Sequence, residues 1–202
     1  MMEGTDVQAA NGGTRNKAWA FFRGFLRHPA TVASVVPSSR FLTRRIANVA
    51  LKTRAHTVVE LGPGTGCTTR ALLKVLPRDA RLLAIDLEED FINLLKWEVD
   101  HRLIPHLGSA TMVRETVAAH GLPNPDLIVS GIPFSTMAAE DAREICEQVW
   151  MSLAPGGSFV AYQLRGHVAR YARHWMGAPC MQFEWLNVPP MRVYRWVKPA
   201  VE

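Results

Sequence analysis

Cysteine is scarce in this chain, with three in 202 residues. Cys67, Cys146 and Cys180 are odd in number and far apart. They form neither a zinc pattern nor a disulfide framework, which suits a reducing compartment. The seven histidines have no metal-ligand spacing, so no metal is expected. No apolar run approaches the roughly 18 residues that a membrane-spanning helix needs. The opening MMEGTDVQAANGG lacks the apolar core of a secretory signal, and residues 1–14 read as a disordered tail. Internal repeats and low-complexity segments are absent.

What is present is an ordinary globular composition, 48% apolar and 20% charged, long enough for one domain with a sizeable core. The net charge of +5 is unevenly spread. Residues 1–55 hold nine Lys/Arg against two Asp/Glu, residues 56–164 eight against fourteen, and residues 165–202 six against two. Two basic ends around an acidic middle point to an anionic partner, membrane surface or nucleic acid, or simply to a solvated basic surface.

The apolar periodicity predicts helices over residues 15–28 and 39–51, the second with a serine at its N-cap. From residue 56 strands and helices alternate. Strands are expected at 57–61, 81–86, 111–114, 126–130, 158–164, 181–186 and 192–197. Helices are expected at 67–76, 88–99 and 138–153. Such alternation argues a doubly wound, mainly parallel α/β sheet, which binds ligands outside the carboxyl ends of its strands.

The first strand runs into VVELGPGTGCTT, residues 58–69. Glycines between a strand and a helix let a ligand approach the backbone closely. The dinucleotide pattern G-x-G-x-x-G/A fails here, because Cys67 or Thr69 falls at the third position. A P-loop is excluded, since no Gly-Lys-Ser/Thr follows. The pattern present, Glu60 to Gly66, sets an acid before the loop, a poor companion for phosphate and a good one for a cation. Asp86, ending the second strand, can accept both hydroxyls of a ribose. Glu115, read as ending the third, can accept from an adenine amino group. The implied ligand carries a ribose, a base and positive charge.

Glu60-Leu-Gly-Pro-Gly-Thr-Gly66, Asp86 and Leu153-Ala-Pro-Gly-Gly157 resemble class I S-adenosylmethionine-dependent methyltransferases. The resemblance implies a Rossmann-like, seven-stranded sheet, mainly parallel with its last strand antiparallel, over residues 56–202, preceded by helices over 15–55. It implies S-adenosylmethionine as cofactor, with Gly62, Gly64, Thr65 and Gly66 lining it, Glu60 near its amino-acid end, Asp86 on its ribose and Leu87 against its adenine.

SGIPFS, residues 130–135, follows the fourth strand. Methyltransferases of base amines often carry Asn/Asp-Pro-Pro-Tyr/Phe there. Here Gly131 stands at the Asn/Asp position, which removes the side-chain acceptor for a planar amine. It leaves room for a tetrahedral nitrogen beside the Ser130 and Gly131 carbonyls, with Phe134 either facing a methylammonium or packed in the core. Residues 21–47, 129–135 and 188–196 are similar to bacterial phospholipid N-methyltransferases, whose substrate is phosphatidylethanolamine. That resemblance implies cofactor closure by Ser38 and Ser39, and headgroup contact by Arg192 and Tyr194. Leu164 stands where an aromatic residue is expected; Tyr162 or Tyr171 is its substitute. The sequence identifies no dedicated base: a water, Tyr162 or a histidine such as His167 could take the proton, and a lone histidine such as His167 is more often a surface or packing residue.

On a helical wheel Trp19, Phe22, Phe25 and Leu26 share one face, with Arg23 and Arg27 opposite. That suits either an interfacial helix on an anionic membrane or a helix capping the core. The expected enzyme is cytoplasmic, peripheral to the inner membrane face, with no nucleic-acid partner. The competing readings are an rRNA adenine dimethyltransferase-like enzyme, a methyltransferase of another amine lipid such as ornithine lipid, and a cofactor-binding scaffold without chemistry.

Overall fold

The computed structural model describes residues 39–200. Seven strands form one sheet: β1 (Thr57–Leu61), β2 (Arg81–Asp86), β3 (Leu103–Leu107), β4 (Leu127–Ser130), β5 (Ser158–Gln163), β6 (Cys180–Glu184) and β7 (Met191–Val197). Their order is β3-β2-β1-β4-β5-β7-β6. The first five are parallel, and β7 runs antiparallel to both β5 and β6. The helices are α1 (Arg40–Thr53), α2 (Cys67–Leu73), α3 (Glu89–Lys96), α4 (Val113–Ala119), α5 (Ala139–Ser152) and α6 (His167–Met176).

Successive strand residues point to opposite faces, and both faces are covered. Val59, Ile128, Phe159 and Ala161 pack with residues of α4, α5 and α6. Val58, Val129 and Val160 pack with residues of α1, α2 and α3. This double burial explains why the central strands read as continuous apolar runs. The crossover from strand order 2-1 to 4-5 opens a crevice at the carboxyl ends of β1 and β4, where such sheets take their ligands.

The third strand lies earlier than expected. Pro105 and His106 interrupt its apolar pattern, and a proline is tolerated because β3 is an edge strand paired only with β2. Residues 111–114, expected as that strand, instead close a 3-10 turn (Ala110–Met112), capped by the Ser109 hydroxyl accepting from the Thr111 N–H, and begin α4. Helices α4 and α6 were not expected at all.

Candidate active site

The glycine loop is shaped by what surrounds it. Gly62, Gly64 and Gly66 all have positive φ, which L side chains rarely adopt. A Cβ at Gly62 would stand 3.1 Å from Ile132 Cγ1, and one at Gly66 2.9 Å from Leu95 Cδ2, whereas Gly64 faces open space. Arg70 braces the loop, donating to the Thr65 carbonyl at 3.0 Å and to Glu98 at 2.8 Å.

Beneath the loop, Glu60 is completely buried. Its Oε2 accepts from the Thr69 hydroxyl at 2.6 Å, while Oε1 is buried without a partner. Desolvation pushes its carboxyl up to about 7, against the lowering effect of Thr69. An orphaned carboxylate oxygen below a glycine loop fits the ammonium of an amino acid: a cation would supply the missing partner and draw the proton off. Thr69 was not singled out in the sequence; its place one helical turn after Gly66 is the signal that could have found it.

Asp86, nearly buried at the end of β2, accepts from the Gly64 N–H at 3.2 Å and the Glu88 N–H at 3.0 Å. Burial raises its carboxyl and these N–H bonds oppose the rise. The carboxylate is thereby fixed beside the loop, where a ribose would lie. Leu87 follows with half its surface exposed, available to an adenine ring. Glu115 is a correction: it sits exposed in the first turn of α4 and does not end a strand. The residues that follow β3 there are Gly108 and Ser109.

Across the crevice, Ser130 ends β4 fully buried, its hydroxyl accepting from the Ile132 N–H. Gln163, a residue the sequence did not flag, holds this loop by donating to the Ile132 carbonyl at 2.6 Å. The room expected at Gly131 is already taken. A Cβ there would stand 2.9 Å from Tyr162 Cζ, closer still to the Tyr162 hydroxyl, and 3.0 Å from the Gly62 carbonyl. The Tyr162 hydroxyl also lies 3.4 Å from Thr68 Oγ1. The phenol of β5 therefore reaches under β4 to the start of α2. Phe134 is a second correction: it is wholly buried in the core, so its ring faces neighbouring side chains and no substrate cation.

Tyr194 is a third. It is buried in β7, stacked 5.9 Å from Trp196, and offers no headgroup contact. Arg192 stays at the site end of β7, donating to the Leu164 carbonyl and lying 5.3 Å over the Phe183 ring. Ser39 uses its side chain to cap α1 through the Leu42 N–H, and its own N–H donates to Asn187 Oδ1 at 2.9 Å. Its hydrogen bonds do not reach the glycine loop. Ser38 and the proposed membrane residues Trp19, Phe22, Arg23, Phe25, Leu26 and Arg27 lie outside the described residues. Among the described residues no cluster of metal ligands occurs.

Residues 58–157 match a family described as a methyltransferase domain. An ornithine lipid N-methyltransferase from Singulisphaera acidiphila is 28% identical over 177 residues, covering 86% of this chain and 92% of that protein. A ribosomal RNA small subunit methyltransferase A from Caulobacter vibrioides is 40% identical over 98 residues, but these cover 46% of this chain and only 35% of that protein. The solved 1,6-didemethyltoxoflavin-N1-methyltransferase of Burkholderia thailandensis, bound to S-adenosylhomocysteine, shares the fold at a TM-score of 0.69 and 16% identity, over 96% of this chain and 93% of that one. With this sheet, this glycine loop and its two buried carboxylates, the chain is a class I S-adenosylmethionine-dependent methyltransferase that resembles lipid N-methyltransferases.

Proposed function

We propose that this enzyme N-methylates the primary amine of a membrane lipid. The observation that carries the reading is the extent of the lipid-enzyme likeness, which covers 86% of this chain and 92% of that protein, while the RNA-enzyme likeness covers 46% and 35%. That likeness makes ornithine lipid the first candidate. Phosphatidylethanolamine is the second, favoured by VSGIPFS and VPPMRVYRW. Both present a primary alkylamine near an anionic group, and Arg192, at the site end of β7, suits the anion.

The cofactor supplies an activated methyl on a sulfonium, an excellent leaving group, so the protein's task is to position and desolvate. Glu60 and Asp86 would hold its amino-acid and ribose ends. The alkylamine, with a pKa near the ~10.4 of lysine, would lose a proton to solvent water, and its lone pair would form the new N–C bond as the sulfonium S–CH3 bond breaks, the sulfur keeping that electron pair as a neutral thioether. The polar groups nearest β4 for orienting that amine are the Ser130–Gly131 backbone and the Tyr162 hydroxyl. No planar acceptor of the Asn/Asp kind stands at position 131, which disfavours a base amine.

The test is methyl transfer from labelled S-adenosylmethionine to vesicles containing ornithine lipid or phosphatidylethanolamine, with anionic lipid present and structured rRNA in parallel. Label in an amine lipid is expected, and the better substrate names the headgroup. Label in rRNA alone would overturn the reading. The same reading puts the enzyme at the inner face of the membrane; no helix among the described residues is long and apolar enough to cross one.

A further inference from the structure

The loop between β6 and β7 presents three large apolar side chains to solvent: Trp185 at 69% exposed, Leu186 at 61% and Val188 at 72%. Scattered exposed apolar residues are ordinary on a protein surface, whereas a contiguous set marks a contact. This set is contiguous and rigidly mounted. Trp185 stacks on Phe183 at 4.8 Å, and Phe183 in turn lies under the Arg192 guanidinium. Leu186 N–H donates to Glu184, which is itself ion-paired with Arg45 of α1 at 2.8 Å. Asn187 is buried, holding the Ser39 N–H and the Pro189 carbonyl. Its neighbours on either side therefore project outward from a fixed backbone.

The patch extends to two other elements at the same end of the sheet. Phe41 opens α1 next to the Ser39–Asn187 contact, partly exposed under its neighbour Arg40. Leu164 follows β5, also partly exposed and tied through its carbonyl to Arg192. The charges that border it on the chain are basic: Arg40 and Arg44 on α1, and Arg165 after Leu164, all exposed. The acidic residue of this region, Glu184, is buried and paired. Because β7 starts opposite the end of β5, the whole surface lies at the carboxyl end of the sheet, on the side of the crevice where Tyr162 and Gln163 stand.

We propose that the β6–β7 loop, with Phe41 and Leu164, is a bilayer-docking surface of this protein, which inserts its apolar side chains among the acyl chains of an anionic membrane. A tryptophan at the water–lipid boundary and arginines around it are the chemistry that such an interface selects. Docking by this end brings the crevice to the height of lipid headgroups, so the amine need not leave the membrane to reach the methyl. The proposal rests on the amine-lipid reading for its purpose, but the surface is tested by binding alone.

The experiment is sedimentation of the full chain with vesicles of phosphatidylcholine and phosphatidylglycerol, comparing the natural protein with the triple variant Trp185→Ser, Leu186→Ser, Val188→Ser. S-adenosylhomocysteine affinity serves as the folding control. The triple variant is expected to bind vesicles at least tenfold more weakly with unchanged S-adenosylhomocysteine affinity. A second variant, Arg40→Glu with Arg165→Glu, should lose binding to anionic vesicles more than to pure phosphatidylcholine. Equal vesicle binding by the natural protein and the triple variant would overturn the proposal, as would no binding by the natural protein. Weakened vesicle binding without any methylated lipid would leave the surface standing and remove the amine-lipid function instead.

Discussion

At the carboxyl end of β1 and β2 the polar groups are two buried carboxylates, Glu60 held by the Thr69 hydroxyl and Asp86 by the N–H groups of Glu88 and of Gly64 in the glycine loop. Where β4 and β5 end and β7 begins they are a phenol and an amide from β5 and an arginine from β7, bordered by exposed apolar side chains. If the first half takes the cofactor, its ligand is the same for every member of the class, and one strand–turn motif with one spaced acid suffices. If the second half fits the acceptor, it does so with groups that separate strands bring together. On that reading the cofactor half is set by motif and spacing, whereas the acceptor half is set by tertiary contacts.

The largest expected effect comes from breaking the first half. Glu60→Gln keeps a carbonyl for the Thr69 hydroxyl but sets an amide donor where the buried Oε1 has no partner. Loss of a charge-assisted contact to an ammonium lowers S-adenosylhomocysteine affinity roughly 100-fold, read by calorimetry. Stability moves the other way. With a folded value of about 7 against 4.5 unfolded, the natural carboxyl destabilises the ligand-free protein progressively as pH rises from 4.5 to 7, by about 3 kcal/mol above that range. Ligand-free Glu60→Gln should therefore melt higher than the natural protein at pH 8 and show no such advantage at pH 4.5. In the natural protein S-adenosylhomocysteine affinity should weaken as pH falls below 7, by up to about tenfold for each pH step. Affinity and stability unmoved by Glu60→Gln would mean that this half is not the cofactor's.

Where the residues of this half sit in the fold was largely legible in the sequence. Glu60, the three glycines and Asp86 lie where one strand, one turn and one spacing put them, so periodicity and motif suffice to place them. It misplaced Glu115 because Pro105 broke the edge-strand signal and the next apolar run, Thr111 to Val113, belongs to a turn and a helix. On the substrate side the sequence is not legible where contacts are long-range. Position 131 was legible as a glycine, but nothing along the chain says that a β5 tyrosine fills the space. Phe134 and Tyr194 carry the right chemistry for a cation or a headgroup, and only their burial shows that they serve the core. Gln163 and Thr69 have no motif of their own, being defined by the groups they hold.

A smaller effect tests whether the two halves are mechanically joined. Gly131→Ala pushes a methyl group against the Tyr162 ring and the Gly62 carbonyl at once, so overpacking should lower stability by about 1–3 kcal/mol and disturb the glycine loop. Adding Tyr162→Phe removes the nearest of those atoms. The double variant should then be more stable than the sum of the single effects, by at least about 0.5 kcal/mol, in denaturant titrations. Strict additivity would show that the crevice yields at Gly131 without engaging Tyr162, and the two halves would be independent.

The smallest expected effect decides to which half Tyr162 belongs. Its ring packs on the α1–α2 face of the sheet, and its hydroxyl stands among Thr68 of α2, the Gly62 carbonyl and Gly131, on the border between cofactor and substrate. Tyr162→Phe keeps the ring and deletes only the oxygen, so packing is preserved and stability should change by less than about 1 kcal/mol. If the hydroxyl orients the acceptor amine, one hydrogen bond is lost from the reacting complex. The kcat/KM for the amine lipid should then fall about three- to tenfold, with S-adenosylhomocysteine affinity unchanged. If S-adenosylhomocysteine affinity falls by that factor instead, the tyrosine is a cofactor residue contributed from β5, and the local motif of the first half needs a tertiary partner after all.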